Sequence, residues 1–197
     1  MLLENLLFPA LLLIVFTSTS LLISRNWRIS ILMLALQYLG VFVLVAQSWP
    51  LEMAIVKMIT GWIAGAVIGL IFVSAHSEYI PAEIWPAGQL FKLLMVLLTI
   101  ITIWSLAPNL ISWVPGSSII QMTGGLILLG MGILQISLVI QPLPVVLGLL
   151  TFLSGFEILY AVVERSILIA GLLAGVNLTL ALVGAYLIAL PGMEEEG

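Results

Sequence analysis

Two ionisable residues stand inside stretches otherwise apolar enough for lipid: Lys57, in AIVKMITGWIAGAVIG, and Glu157, in LSGFEILYAVVER. An ionisable side chain at membrane depth costs about 2.5–3.5 kcal/mol on insertion scales, so each asks for a purpose. A carboxyl in such a place is suited to bind and release a proton, as a relay requires. Glu157, Tyr160 and Glu164 follow at i, i+3 and i+7, one polar stripe rising to the surface. The same carboxyl, protonated and bonded to a neighbouring helix, would serve as structural glue. Lys57 heads a stripe of glycines at four-residue steps, Gly61, Gly65 and Gly69, which reads as close helix packing, as do Gly171 and Gly175. Lys57 either snorkels to the outer surface, near Glu52, or turns inward. Asn177, Thr179, Gln37 and Gln135 are further mid-span polar groups, able to hold water or bond across helices.

The rest of the composition removes most other chemistry. Cysteine and aspartate are absent and His76 is the single histidine. This leaves no thiolate nucleophile, no Cys-ligated cluster, no multi-histidine metal or haem site and no usual Mg²⁺ carboxylate set. There is no Gly-rich phosphate loop after a strand. The chain is therefore expected to have no catalytic residue, no metal, no cofactor and no nucleic-acid partner of its own. The closing Glu194, Glu195 and Glu196 read as a solvated tail.

The elements that must position these groups are membrane spans. Of the 197 residues, 63% are hydrophobic and 7% charged, against about a quarter charged in soluble domains. With mean hydropathy +1.34, the chain is read as an all-α, polytopic integral membrane protein in a lipid bilayer. A crossing needs about 20 apolar residues, and such runs occur at roughly 5–24, 29–47, 51–74, 89–107, 119–140, 143–163 and 166–190. About seven transmembrane helices follow. The first, without a basic n-region or small-residue cleavage site, is expected to be retained. Trp27, Trp49, Trp85 and Trp113 fall at expected interfaces, as an aromatic belt requires. Lys92 opens the fourth run, where snorkelling to the headgroups is expected.

Arg25, Arg28 and Lys92 fall on one side and Arg165 on the other, which places the N-terminus outside and the acidic C-terminus in the cytoplasm. Lys57 lies six residues below the outer end of the third span and Glu157 six below that of the sixth. Both are then about 9 Å deep. If the third and sixth helices approach, Lys57 tunes the proton affinity of Glu157, directly or through water, and the glycine stripe serves that approach. Spans one to three and five to seven form two trios, and SLLI (20–23) returns as SLVI (137–140). The chain thus divides into a first three-helix unit (1–74), a linker helix with its loops (75–118), a second unit (119–190) and the acidic tail (191–197), a 3+1+3 arrangement in one membrane domain.

The second trio, GLILLGMGILQISLVI, LGLLTFLSGFEILYAVV and LIAGLLAGVNLTLALVGAYL, resembles the three-helix K subunit of respiratory complex I. It is also similar to the C-type subunit of Mrp-type cation/proton antiporters. Gly155-Phe156-Glu157-Ile158-Leu159 stands where that family has its Gly-x-Glu-aliphatic signature. In the last helix the complex I subunit has a second buried glutamate, and here Asn177 or Thr179 stands instead. Leu178-Thr179 and Gly184 look closer to the antiporter version. The layout of the whole chain is similar to the E component of hydrogenase-4, with Lys57 as counterpart of its mid-helix lysine. The resemblance implies an accessory subunit, without a redox centre of its own, in the inner membrane of a bacterial or archaeal-type cell. Its partners would be the other membrane subunits of a hydrogenase, complex I-like or Mrp-type assembly. Glu157, Lys57, Tyr160, Glu164, Asn177 and Thr179 would form its proton relay.

Two other readings fit the same composition: a stand-alone transporter for a small solute, and a non-catalytic assembly scaffold. Transporter sites are commonly built on discontinuous helices, whereas the breaks here fall at span ends.

Overall fold

The computed structural model describes residues 2–74 and 86–194, with side chains over 5–73 and 88–190. His76, Trp85, the stretch between the third and fourth spans and the side chains of the terminal glutamates lie outside the described residues. Seven long helices account for nearly everything else: α1 (Leu2–Ile23), α2 (Trp27–Val45), α3 (Leu51–Ser74), α4 (Pro86–Leu110), α5 (Ile119–Leu138), α6 (Pro142–Val163) and α7 (Ile167–Glu194). Each is long and apolar enough to cross a membrane, and no strand occurs among the described residues. The protein is an all-helical, multi-pass membrane protein. Helices suit these sequences because lipid offers no hydrogen bonds, so each backbone group must be satisfied within its own segment.

Local chemistry sets the helix starts. Asn26 Oδ1 accepts from the Arg28 amide at 3.0 Å and begins α2. Ser118 Oγ accepts from the Gln121 amide at 3.1 Å and begins α5. Pro142 occupies the first turn of α6, where a missing amide hydrogen costs nothing. Before α5 the chain turns through Gly116 at φ 92°, a left-handed conformation that favours glycine.

The helices pack as two rows of three. In one row α2 lies between α1 and α3; in the other α6 lies between α5 and α7. Each helix of the first row touches its counterpart in the second: α1 meets α5, α2 meets α6, and α3 meets α7. The outer helix α4 leans on α5 and the edge of α1. Side chains such as Ile14, Val41, Leu44, Leu128 and Ile158 form the core between the rows.

The tightest seam joins α5 to α6. A methyl group on Gly132 would stand 2.6 Å from the backbone nitrogen of Phe152, and one on Gly155 would stand 2.6 Å from the carbonyl oxygen of Gly125. Bare backbones therefore meet here, the usual device for close helix contact in lipid. The glycines of α3 face α2, not α6. Gly61 lies against the ring of Tyr38, while Gly65 and Gly69 make only ordinary contacts with Leu34 and Ile31. The close packing expected of Gly171 and Gly175 is not found: a methyl on either would meet nothing within 4 Å. Both are exposed and stand off the inner face of α7, which is carried by Asn177, Ala181, Gly184 and Ala185.

Candidate functional site

Lys57 and Glu157 come together. The ammonium of Lys57 on α3 forms an ion pair with Glu157 Oε2 on α6, and the two side chains are 4% and 1% exposed. Both lie six residues from their helix ends, Leu51 and Val163, at matching depth. The indole of Trp49 fixes that match by donating to the carbonyl of Glu164 at 2.8 Å, which ties the α2–α3 turn to the end of α6.

What admits the lysine is a stack of small and aromatic residues. Gly61, one turn below Lys57, leaves room for the Tyr38 ring. That ring lies 5.0 Å from the Lys57 nitrogen, within cation–π range. The other oxygen of Glu157, Oε1, accepts from Asn177 Nδ2 on α7 at 3.2 Å. Asn177 Oδ1 in turn accepts from the Tyr38 hydroxyl at 3.2 Å. Four helices, α2, α3, α6 and α7, thus contribute one buried polar side chain each to a single cluster. Ser154, one turn along α6, sets its hydroxyl beside the Tyr38 oxygen.

A cavity of about 110 Å³ reaches the pair. Its walls include Trp49, Met53, Ile167, Ala170 and Gly171, with Lys57 and Glu157 lining it as well. Ile167 on its rim is exposed, so the cavity lies toward the molecular end that holds the α2–α3 and α6–α7 turns. Gly171 has its place here: the missing side chain widens the cavity instead of closing a helix contact.

The remaining sequence candidates are placed elsewhere. Tyr160 stacks on Phe156 with ring centroids 5.6 Å apart. The Glu164 carboxylate accepts from the amide of Arg165 at 3.0 Å, at the helix end. Among the described residues neither hydrogen-bonds to Glu157, so the stripe along α6 is not a connected one. Thr179 is exposed and donates to its own helix at Gly175 O, 2.9 Å away. Of the two alternatives in the last helix, Asn177 faces the site and Thr179 does not. Lys92 does not snorkel outward: the residue is 8% exposed and its ammonium donates to the Leu22 carbonyl at 3.1 Å, near the C-terminal end of α1.

Sequence reasoning missed Tyr38 and Ser154. Tyr38 carries a signal in retrospect, because a buried tyrosine hydroxyl needs a partner. Ser154 carries none, since its hydroxyl satisfies itself on the Leu150 carbonyl at 2.8 Å.

Fold and site together define a multi-pass helical membrane protein with a lysine–glutamate pair buried among four of its helices. Compared with known protein families, curated proteins and solved structures, the chain matches none of them.

Proposed function

We propose that this chain is an accessory membrane subunit of a multisubunit ion-translocating complex, a membrane hydrogenase, complex I-like or Mrp-type assembly, and that Glu157 is its proton- or cation-exchanging group. The observation that carries this reading is the buried Lys57–Glu157 pair with a cavity against it. Removing two charges from water costs several kcal/mol per ion, and apolar side chains of similar size would hold the helices together as well or better. A pair retained at that cost, and reached by a cavity, is better suited to exchange than to glue. The Gly155-Phe156-Glu157 signature supports the same assignment by its likeness to K-type subunits. Lys57 stabilises the carboxylate while it waits for a proton, and Asn177 holds the second oxygen so that Oε2 stays turned to Lys57 and the cavity. The basic ends of α1, α2 and α4 face the cytoplasm in this reading, and the cavity opens outward.

Glu157→Gln tests it. The amide keeps the shape of a neutral carboxyl and cannot exchange a proton. In native membranes ion translocation per assembled complex is expected to fall more than about tenfold, a barrier change of about 1.4 kcal/mol, beyond any loss of complex from stranding Lys57. Undiminished translocation per assembled complex in this variant would reduce Glu157 to a structural group.

A further inference from the structure

Below the ion pair, buried polar groups continue along α6 toward the opposite end of the molecule. Glu157, Ser154 and Thr151 succeed one another at three-residue steps, and each is fully buried. Thr151 Oγ1 accepts from Gln37 Nε2 of α2 at 3.1 Å. One further step along α6 is Gly148. Its bare backbone is met by Gln135 of α5, whose Cβ lies 3.2 Å from where a methyl on Gly148 would stand. Gln37 and Gln135 are 0% and 2% exposed. Yet Gln37 Oε1 and Gln135 Nε2 have no hydrogen-bond partner among the described residues. Two orphaned amide atoms in a protein core are rare, and ordered water is their usual partner. The free atoms are an acceptor and a donor, so each can hold a water molecule, and water with the Thr151 and Ser154 hydroxyls can pass protons by successive hydrogen-bond exchange.

We infer that Gln37, Thr151, Ser154 and Gln135 hold a file of water that connects Glu157 with the end of the molecule carrying Arg25 and Arg28. The inference rests on Glu157 as the exchanging group and adds the route by which it is served. At about 1.5 Å per residue, the file spans about 13.5 Å from Glu157 to the level of Gly148, with about 9 Å left to Pro142. The cavity beside Trp49 serves the other side. A proton arriving by either way is bound on Oε2, and the bound proton leaves by the opposite one; no bond other than O–H is made or broken. The glutamines carry no proton themselves. They position water, and the two hydroxyls relay.

The test uses the full chain reconstituted in sealed, uniformly oriented liposomes. Infrared difference spectroscopy follows the Glu157 carboxyl, assigned by the band lost in Glu157→Gln, after a pH step on one face at a time. The native chain is expected to respond from both faces. Gln37→Leu/Thr151→Val/Gln135→Leu is expected to respond at least about tenfold more slowly from the Arg25 face and at the native rate from the Trp49 face. Thr151→Val alone, which exchanges one hydroxyl for one methyl, is expected to slow the same face if the triple variant does not fold, and Thr151→Ser to restore it. Native-rate response of the variants from the Arg25 face overturns the route while leaving Glu157 as the exchanging group. A native chain that responds from the Trp49 face alone does the same. A native carboxyl that responds from neither face overturns the exchange site itself, and the route with it.

Discussion

The pairing of Lys57 with Glu157 makes each residue's cost depend on the other. Buried together they satisfy one another; removing one strands a charge, which typically costs about 3–5 kcal/mol. Lys57→Met is therefore expected to lower the thermal unfolding temperature in detergent markedly. Adding Glu157→Gln to that variant is expected to recover most of the loss, since a neutral amide needs no counter-charge. Tryptophan fluorescence during heating measures both, and a Lys57→Met variant as stable as the native chain would show the pair to be hydrated. Both members were legible in the sequence because an ionisable residue inside an apolar run advertises its own expense. The hydroxyls around them were not. A serine or threonine in a helix bonds its own backbone at little cost, as Ser154 does to Leu150, so nothing in the sequence marks which ones face the site.

Helix boundaries were the most legible feature of the elements, since lipid permits little but whole helices. The span read as 51–74 is α3 as found, and 143–163 differs from α6 by one residue. Partner choice was not legible, because a span that is apolar all round does not declare its face. The α3 glycines do form one stripe, but their neighbour is α2. Meanwhile Gly125 and Gly132 on α5, and Gly148 and Gly155 on α6, stand seven residues apart on two facing helices. That repeat is written in the sequence at seven-residue spacing, where a search at four-residue steps does not find it. The two classes of glycine separate under substitution. Gly132→Ala places a methyl against the backbone of Phe152 and Gly148 and is expected to cost about 1–3 kcal/mol as the helices part. Gly171→Ala meets nothing and is expected to stay within about 0.5 kcal/mol of the native chain. Thermal unfolding of the two, side by side, gives the comparison, and equal stabilities would contradict the close α5–α6 seam.

Over the whole molecule, the two rows and the alternation of seven helices sort the chain's charges by end. Arg25 in the α1–α2 turn and Arg28 in the first turn of α2 stand at the same end as the start of α4, where Lys92 donates to the last turn of α1. Glu52, Glu164 and Arg165 stand at the other, beside Trp49. Three basic residues against one, the latter with carboxylates for neighbours, are the asymmetry on which the proposed orientation, with the Arg25 end in the cytoplasm, rests. In that proposed orientation the cavity against Glu157 would face outward and the polar file inward, so a test of orientation is also a test of the direction from which each side of the pair would be served. The native chain has no cysteine, which leaves single introduced thiols as clean reporters. Ser117, just before α5, belongs to the end that holds Trp49, proposed as outer; Ile140, 99% exposed in the link from α5 to α6, belongs to the Arg25 end, proposed as inner. In intact cells Ser117→Cys is expected to react with a membrane-impermeant maleimide, and Ile140→Cys only after the membrane is permeabilised. Labelling of Ile140→Cys in intact cells, with Ser117→Cys protected, would invert the molecule and turn the cavity toward the cytoplasm.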